Sequence, residues 1–264
     1  MSRQDVMIRV AFLLLGMGPW YGSALADDEA SNRPYVTASE GGQFYARSIP
    51  AESYGLRGRT EIYRVAEKDR LLHTYDWYSP RLFLEGRGEG SVTVIQMGPW
   101  HRGHQATKEA LALAIHRDGA LLRRYSTLDI AGAPDNVSAS VSHYVVFEEI
   151  HGIRADRGGL SWFETRTTDG RTLTFDLEDG TIVTPEQMET KRMLREAGDA
   201  IGNLKYKWYE KNRAAYEKNK KIRLTKAMLV SVSNGSFPKL PPGYEYVPGE
   251  VWGPPSFKRI ERRR

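Results

Sequence analysis

Between Gln43 and Thr184 the chain is cut into runs of strand length, and no stretch sustains a helical period. The runs are FYARSIPA (44–51), TEIYRVA (60–66), LLHTYDWYS (71–79), RLFLEG (81–86), SVTVIQMG (91–98), LALAIHR (111–117), LLRRYST (121–127), SHYVVFEEI (142–150), LSWFETRT (160–167), RTLTFDLE (171–178) and TIVT (181–184). β-Branched and aromatic side chains suit a pleated backbone, and Asp-Gly pairs suit tight hairpins. Turns such as RDG (117–119), TDG (168–170) and EDG (178–180) separate neighbouring runs by a few residues only. The segment therefore reads as antiparallel and all-β.

Three hairpin phrases resemble one another: TEIYRVAEKDRLLHTY (60–75), LALAIHRDGALLRRYS (111–126) and RTLTFDLEDGTIVT (171–184). Aligning Tyr63, Ile115 and Phe175 spaces them by 52 and 60 residues, and a further pair of strand runs lies in each interval. The unit is thus four strands, repeated imperfectly. Over residues 60–184 the phrases are similar to the outer strands of β-propeller blades of the WD40 or quinoprotein-like type. The W-D dipeptide and the G-H pair of the better-defined propeller families are missing. The resemblance implies architecture alone: blade-like meanders forming an incomplete propeller or stacked sheets, since two and a half blades are too few to close a ring.

Residues 1–26 carry Arg3 and Arg9, an apolar core from Val10 to Met17, and Ala24-Leu25-Ala26 before Asp27-Asp28. This is the pattern of a secretory signal peptide cleaved after Ala26, which makes the mature chain periplasmic or secreted. The sequence has no cysteine. Neither disulfides nor thiolate metal sites can then brace an exported chain, which must fold on its apolar core. Charge divides at Thr184-Pro185: residues 27–184 carry 18 Lys/Arg against 23 Asp/Glu, and residues 185–264 carry 18 against 9.

At that division Thr184, Pro185 and Gln187 offer an N-cap, a proline at the first helical position and a capping-box partner. A helix is expected over about 185–197, weakened at Gly198 and Gly202, with a second over 204–228. Residues 185–228 make a helical basic extension. Residues 229–264, which include FPKLPPGYEYVPGEVWGPPSFKRIERRR, read as an extended or disordered Pro/Gly-rich tail.

GPWHRGH (98–104) sets two histidines three apart. A catalytic zinc takes about three protein ligands and usually pairs histidines i, i+4 on a helix. Pro99 and Gly103 forbid that helix, so the stretch is expected to be a loop, with Trp100 and Arg102 as binding candidates and no metal. Alternation in VSHYVVF places His143 with Val141, Val145 and Phe147 on an apolar face. Such a histidine is a hydrogen-bonded core residue or a general base whose pKa burial depresses. The base reading needs a partner, for which Asp129 serves, with Asp76, Ser126 and Ser142 as further participants. No G-x-S-x-G elbow surrounds any serine. Adjacent Glu148-Glu149 face opposite ways in a strand and do not make a glycosidase pair.

Lys205, Lys207, Lys211 and Arg213 interleave with Trp208 and Tyr209, which joins charge for an anionic surface to aromatics that insert or stack. The expected function is a non-enzymatic exported binding or scaffold module without a cofactor. Its partner is a protein or an anionic cell-envelope component, with nucleic acid disfavoured. The alternatives are a periplasmic hydrolase using His143 and Asp129, and an envelope-binding module acting through the basic aromatic tail.

Overall fold

The fold is taken from a computed structural model that describes residues 31–88, 90–156, 158–233 and 236–260. The segment expected to be a signal peptide lies outside the described residues. Hairpin turns return each strand beside its predecessor, giving three four-stranded antiparallel meanders. The first contains β1 (Tyr35–Ala38), β2 (Phe44–Pro50), β3 (Arg57–Arg64) and β4 (Arg70–Trp77) in sequential order. The second contains β5 (Leu82–Arg87) and β6 (Ser91–Met97), then, past the two-residue β7 (His101–Arg102), β8 (Leu111–Arg117) and β9 (Ala120–Ser126). A short helix, α1 (Thr127–Ala131), and the strands β10 (Ser138–Ala139) and β11 (His143–Val145) precede the third. That meander is β12 (Phe147–Ala155), β13 (Ser161–Thr167), β14 (Thr172–Asp176) and β15 (Ile182–Val183). In the RDG turn, Asp118 and Gly119 both adopt positive φ, 48° and 86°. Two consecutive left-handed residues match the twist of the β8–β9 hairpin they close.

The three sheets stack face to face. SVTVIQM and LALAIHR are buried at nearly every position, as strands covered on both faces are. Val92 and Val94 meet Phe44, Ala46 and Ile62 of the first sheet. On the opposite face Ile95, Met97, Leu113 and Ile115 meet Phe163, Leu173 and Phe175 of the third, together with Ile130 of α1. β5 lies against β1 and β2 on one side and β12 on the other, so the first strands of the three meanders gather together. The phrases aligned on Tyr63, Ile115 and Phe175 are indeed equivalent third strands, β3, β8 and β14, though the aligned residues do not share a face. Tyr63 pairs with Tyr45 on the outer side of the first sheet, whereas Ile115 and Phe175 lie in the core between the second and third.

SHYVVFEEI does not form one strand. Val146 separates β11 from β12, and β11 leaves the meander to pair with β7 and β10. The expected apolar face is corrected with it: Tyr144 and Val146 enter the core, while Val141 and Val145 stand in solvent.

The capping box at Thr184 is present, with Gln187 N–H donating to the threonine hydroxyl at 3.3 Å and Thr184 N–H donating to Gln187 at 2.8 Å. It opens α2 (Pro185–Lys218), two helical stretches joined across a kink at Asn212, so the break falls later than the one expected between 197 and 204. Gly198 and Gly202 do not interrupt it; the non-helical residue is Asn212. The tail expected to be extended or disordered contains regular elements among its described residues. β16 (Arg223–Leu224), α3 (Lys226–Val230), β17 (Tyr244–Val247), β18 (Gly249–Glu250) and β19 (Ser256–Arg259) fold back on α2, pairing as β16–β18 and β17–β19. Ile201, Leu204, Trp208, Leu224, Leu229, Tyr246 and Val251 make their separate core. No helix among the described residues is long and apolar enough to cross a membrane.

Candidate functional site

GPWHRGH is drawn over the second sheet by a close backbone approach. Gly98 N–H donates to Ala112 O at 2.8 Å, and a Cβ at this position would lie 1.7 Å from Leu111 O, so glycine is required. Beyond it the chain forms β7, which pairs His101 with Tyr144 and Arg102 with His143. Expected as a loop, the stretch is one except at His101–Arg102, which form the edge of a three-stranded sheet. Trp100 stacks on buried His143 with ring centroids 4.6 Å apart, and His101 stacks on Tyr144 at 5.4 Å. The imidazoles of His101 and His104 bond to the carbonyls of Leu111 at 2.7 Å and Val141 at 3.0 Å. Burial holds His101 below the ordinary histidine pKa. Arg102 lies over the Tyr54 ring at 5.6 Å.

This folding leaves an apolar cleft of about 260 Å³ between the GPWH segment and the Tyr144–Phe147 connection. Met97, Ala112, Tyr144 and Val146 floor it from the core; Trp100, Val145, Phe147 and Ile150 wall it, with Arg81 beside them. Trp100 is 37% exposed and sits at the mouth. Of these residues the sequence singled out Trp100. The others were read as strand interior, and only the departure of β11 from the meander turns them towards one space.

The pair assigned to hydrolysis is placed as follows. Asp129 is the N3 residue of the α1 capping box and accepts from the backbone N–H and hydroxyl of Ser126 at 2.8 and 2.7 Å. These bonds hold its carboxyl below the usual range. His143 Nδ1 bonds to the Ser142 hydroxyl at 2.8 Å. The hydroxyl of Ser126, one of the serines considered as nucleophile, caps the helix by accepting from Asp129 N–H. No group of three His, Cys, Asp or Glu positioned to hold a metal occurs among the described residues.

The helical candidates divide by burial. Lys205 is 2% exposed and donates to the carbonyls of Glu250 and Gly253, both at 2.8 Å; desolvation lowers its pKa. Trp208 is core. Both therefore hold the module together and are withdrawn from any surface. Tyr209, with Tyr216, packs edge-on against Trp252, an aromatic 58% exposed that the sequence did not mark. Lys207, Lys211 and Arg213 remain exposed. At 100° per residue, Lys207 and Lys211 fall on one flank of the buried face and Tyr209 on the other, while Lys218 and Tyr216 lie beyond the kink at Asn212. Before the kink, residues that interleave in sequence are thus sorted by the helix onto a basic flank and an aromatic flank. Among the described residues none of Lys207, Lys211, Arg213 and Lys218 has an ion-pair partner.

The helix reaches the β stack near its N-terminal end. Lys191 pairs with Asp176 and, at 3.1 Å, with Asp179, and Arg195 donates to Gly159 O at 3.0 Å. Comparison with family models, curated proteins and solved structures finds no match to this chain.

Proposed function

We propose that this chain is an exported, non-enzymatic binding module. Its three meanders serve as a rigid blade-type scaffold, and its helical module attaches to an anionic component of the cell envelope. The observation that carries the reading is the set of exposed lysines Lys207, Lys211 and Lys218, none of which has an ion-pair partner among the described residues. Lys207 and Lys211 stand about 6 Å apart along the helix axis, with Lys218 beyond the kink, an arrangement that suits a surface bearing several anionic groups. The β segment has a negative balance, yet the module meets it chiefly through Lys191 and Arg195, and Lys207, Lys211 and Lys218 take no part in that contact. The gathering of β1, β5 and β12 supports the blade reading, as inner strands do in propellers. The roles of Asp129 in a helix cap and of His143 under Trp100 support a structural rather than hydrolytic use of both.

The test is sedimentation of the full chain with phosphatidylglycerol-containing vesicles against neutral phosphatidylcholine vesicles. Each lysine near an anionic surface contributes about 1 kcal/mol at low salt, so exchanging three for glutamine should weaken binding about 100-fold. Binding should also fall with added salt. Equal binding to both vesicles, or a Lys207→Gln, Lys211→Gln, Lys218→Gln variant that binds as the parent does, would refute the proposal.

A further inference from the structure

The cleft beside Trp100 carries a second site, independent of the exposed lysines. Its walls are fixed before any ligand arrives. Trp100 is held by its stack on His143, His101 by Leu111 O, and Tyr144 by its hydroxyl contact with Thr127 at 3.0 Å. Preformed apolar clefts with few polar groups are the usual form of small-molecule sites, since little ordering entropy is lost on binding. The volume of about 260 Å³ is slightly below the usual range for drug-sized ligands, and admits one ring with a short substituent.

Arg81 defines what that substituent is. It precedes β5 and alternates with Phe83, which packs against the core between the second and third sheets. Its guanidinium lies over the Phe83 ring, 4.9 Å from the centroid. A guanidinium seated over an aromatic ring keeps N–H donors that can take a carboxylate in two parallel bonds. Among the described residues Arg81 has no acidic partner. An apolar, aromatic-walled space thus stands next to a fixed, uncompensated planar cation.

We infer that the cleft binds a small free aromatic carboxylate, its ring between Trp100 and Phe147 and its carboxylate on Arg81. The ring gains stacking and apolar burial, and the carboxylate gains a charge-assisted pair with Arg81 at the exposed rim of the cleft.

The experiment is calorimetric titration of the full chain with 3-phenylpropionate and, separately, with its uncharged amide. The acid is expected to bind saturably and at least tenfold more tightly than the amide. Arg81→Gln, an exposed substitution outside the core, should bring the acid down to the affinity of the amide. A second variant, Val145→Lys at a half-exposed wall, should block both ligands. No saturable binding of the acid, equal affinity for acid and amide, or a preference for the acid that survives Arg81→Gln would overturn the inference. A pentapeptide with a C-terminal phenylalanine that outcompetes the free acid would also overturn it, by making the occupant a chain end.

Discussion

Two regions of this molecule bury comparable side chains by opposite means. In the β stack one sheet lies between two others, and contact is made by layers of aliphatic and aromatic groups such as Ile95, Ile115, Phe163 and Phe175. In the C-terminal module one helix is wrapped by short strands and proline-rich turns. There the centre includes a charged group, Lys205, whose ammonium is satisfied by the main chain of Glu250 and Gly253. The stack needs no particular polar contact at its middle. The module, with few regular ladders, depends on side chains that bond to backbone: Lys205, Arg223 on Pro248 O, and Tyr246 on Leu224 O. A repeating pattern of strands can be stable through area alone, whereas an irregular wrap must fix its loops one carbonyl at a time.

The comparison is broken most severely at the centre of the stack. Phe163→Ala removes a side chain with no solvent exposure and should cost about 3–5 kcal/mol by urea denaturation. If the two regions differ as described, near-ultraviolet signals of the module should survive at urea concentrations that unfold the variant stack. Coincident loss of both would show one cooperative unit.

A smaller effect arises where the stack does contain polar groups. His116 packs on Tyr75 and Trp77 at 5.0 and 5.2 Å, and neither its Nε2 nor the Tyr75 hydroxyl has a hydrogen-bond partner among the described residues. Burial pushes His116 down to about 4 and Tyr75 up to about 12. The unfolded histidine titrates at its ordinary value of 6.5, so protonation favours the unfolded chain. Stability should be complete above that value, decline as pH falls towards about 4, and remain reduced below it. The loss can reach about 3 kcal/mol. His116→Phe keeps the ring stack, and its unfolding free energy should lack this component when measured at neutral pH and near pH 4. A parallel pH dependence in parent and variant would assign the effect elsewhere.

The mildest test falls on the module. Lys205→Met keeps the length of the side chain and leaves two carbonyls without their donor, at a cost of about 1–3 kcal/mol. The aromatic signal of Tyr209, Tyr216 and Trp252 should melt earlier while the β-sheet signal stays in place. An unchanged melting curve would show that the lysine is dispensable.

What the sequence disclosed follows the same division. Strand runs and Asp-Gly turns are local, and they exposed the meanders and the equivalence of β3, β8 and β14. The helix start was legible because a capping box lies within four residues, Thr184 to Gln187. β1 was missed because its YVTA has no apolar run, two of its four residues being exposed. The module was missed because its core unites Trp208, Leu224, Tyr246 and Val251 from distant points in a composition that resembles a linker. The helix passes through Gly198 although glycine costs about 1 kcal/mol there, and Phe257 of β19 packs over that position. The cleft was hidden for a related reason: alternation treats SHYVVFEEI as one strand, and only the pairing of His143 with Arg102 reveals that it divides.

The outer face of the first sheet has a consequence of its own. Arg47 and Arg59 both pair with Glu61, which also accepts from Tyr63, and Tyr45 stacks on Tyr63 at 5.0 Å. A layered array of like sheets has no inherent length, because each buried face invites another. Glu61 is already buried beneath the two arginines, and covering this face would strip water from both guanidiniums at once, a penalty that added apolar contact does not readily offset. The first meander therefore terminates the series as a polar capping repeat does in a solenoid, giving the array a defined end instead of a site for polymer growth.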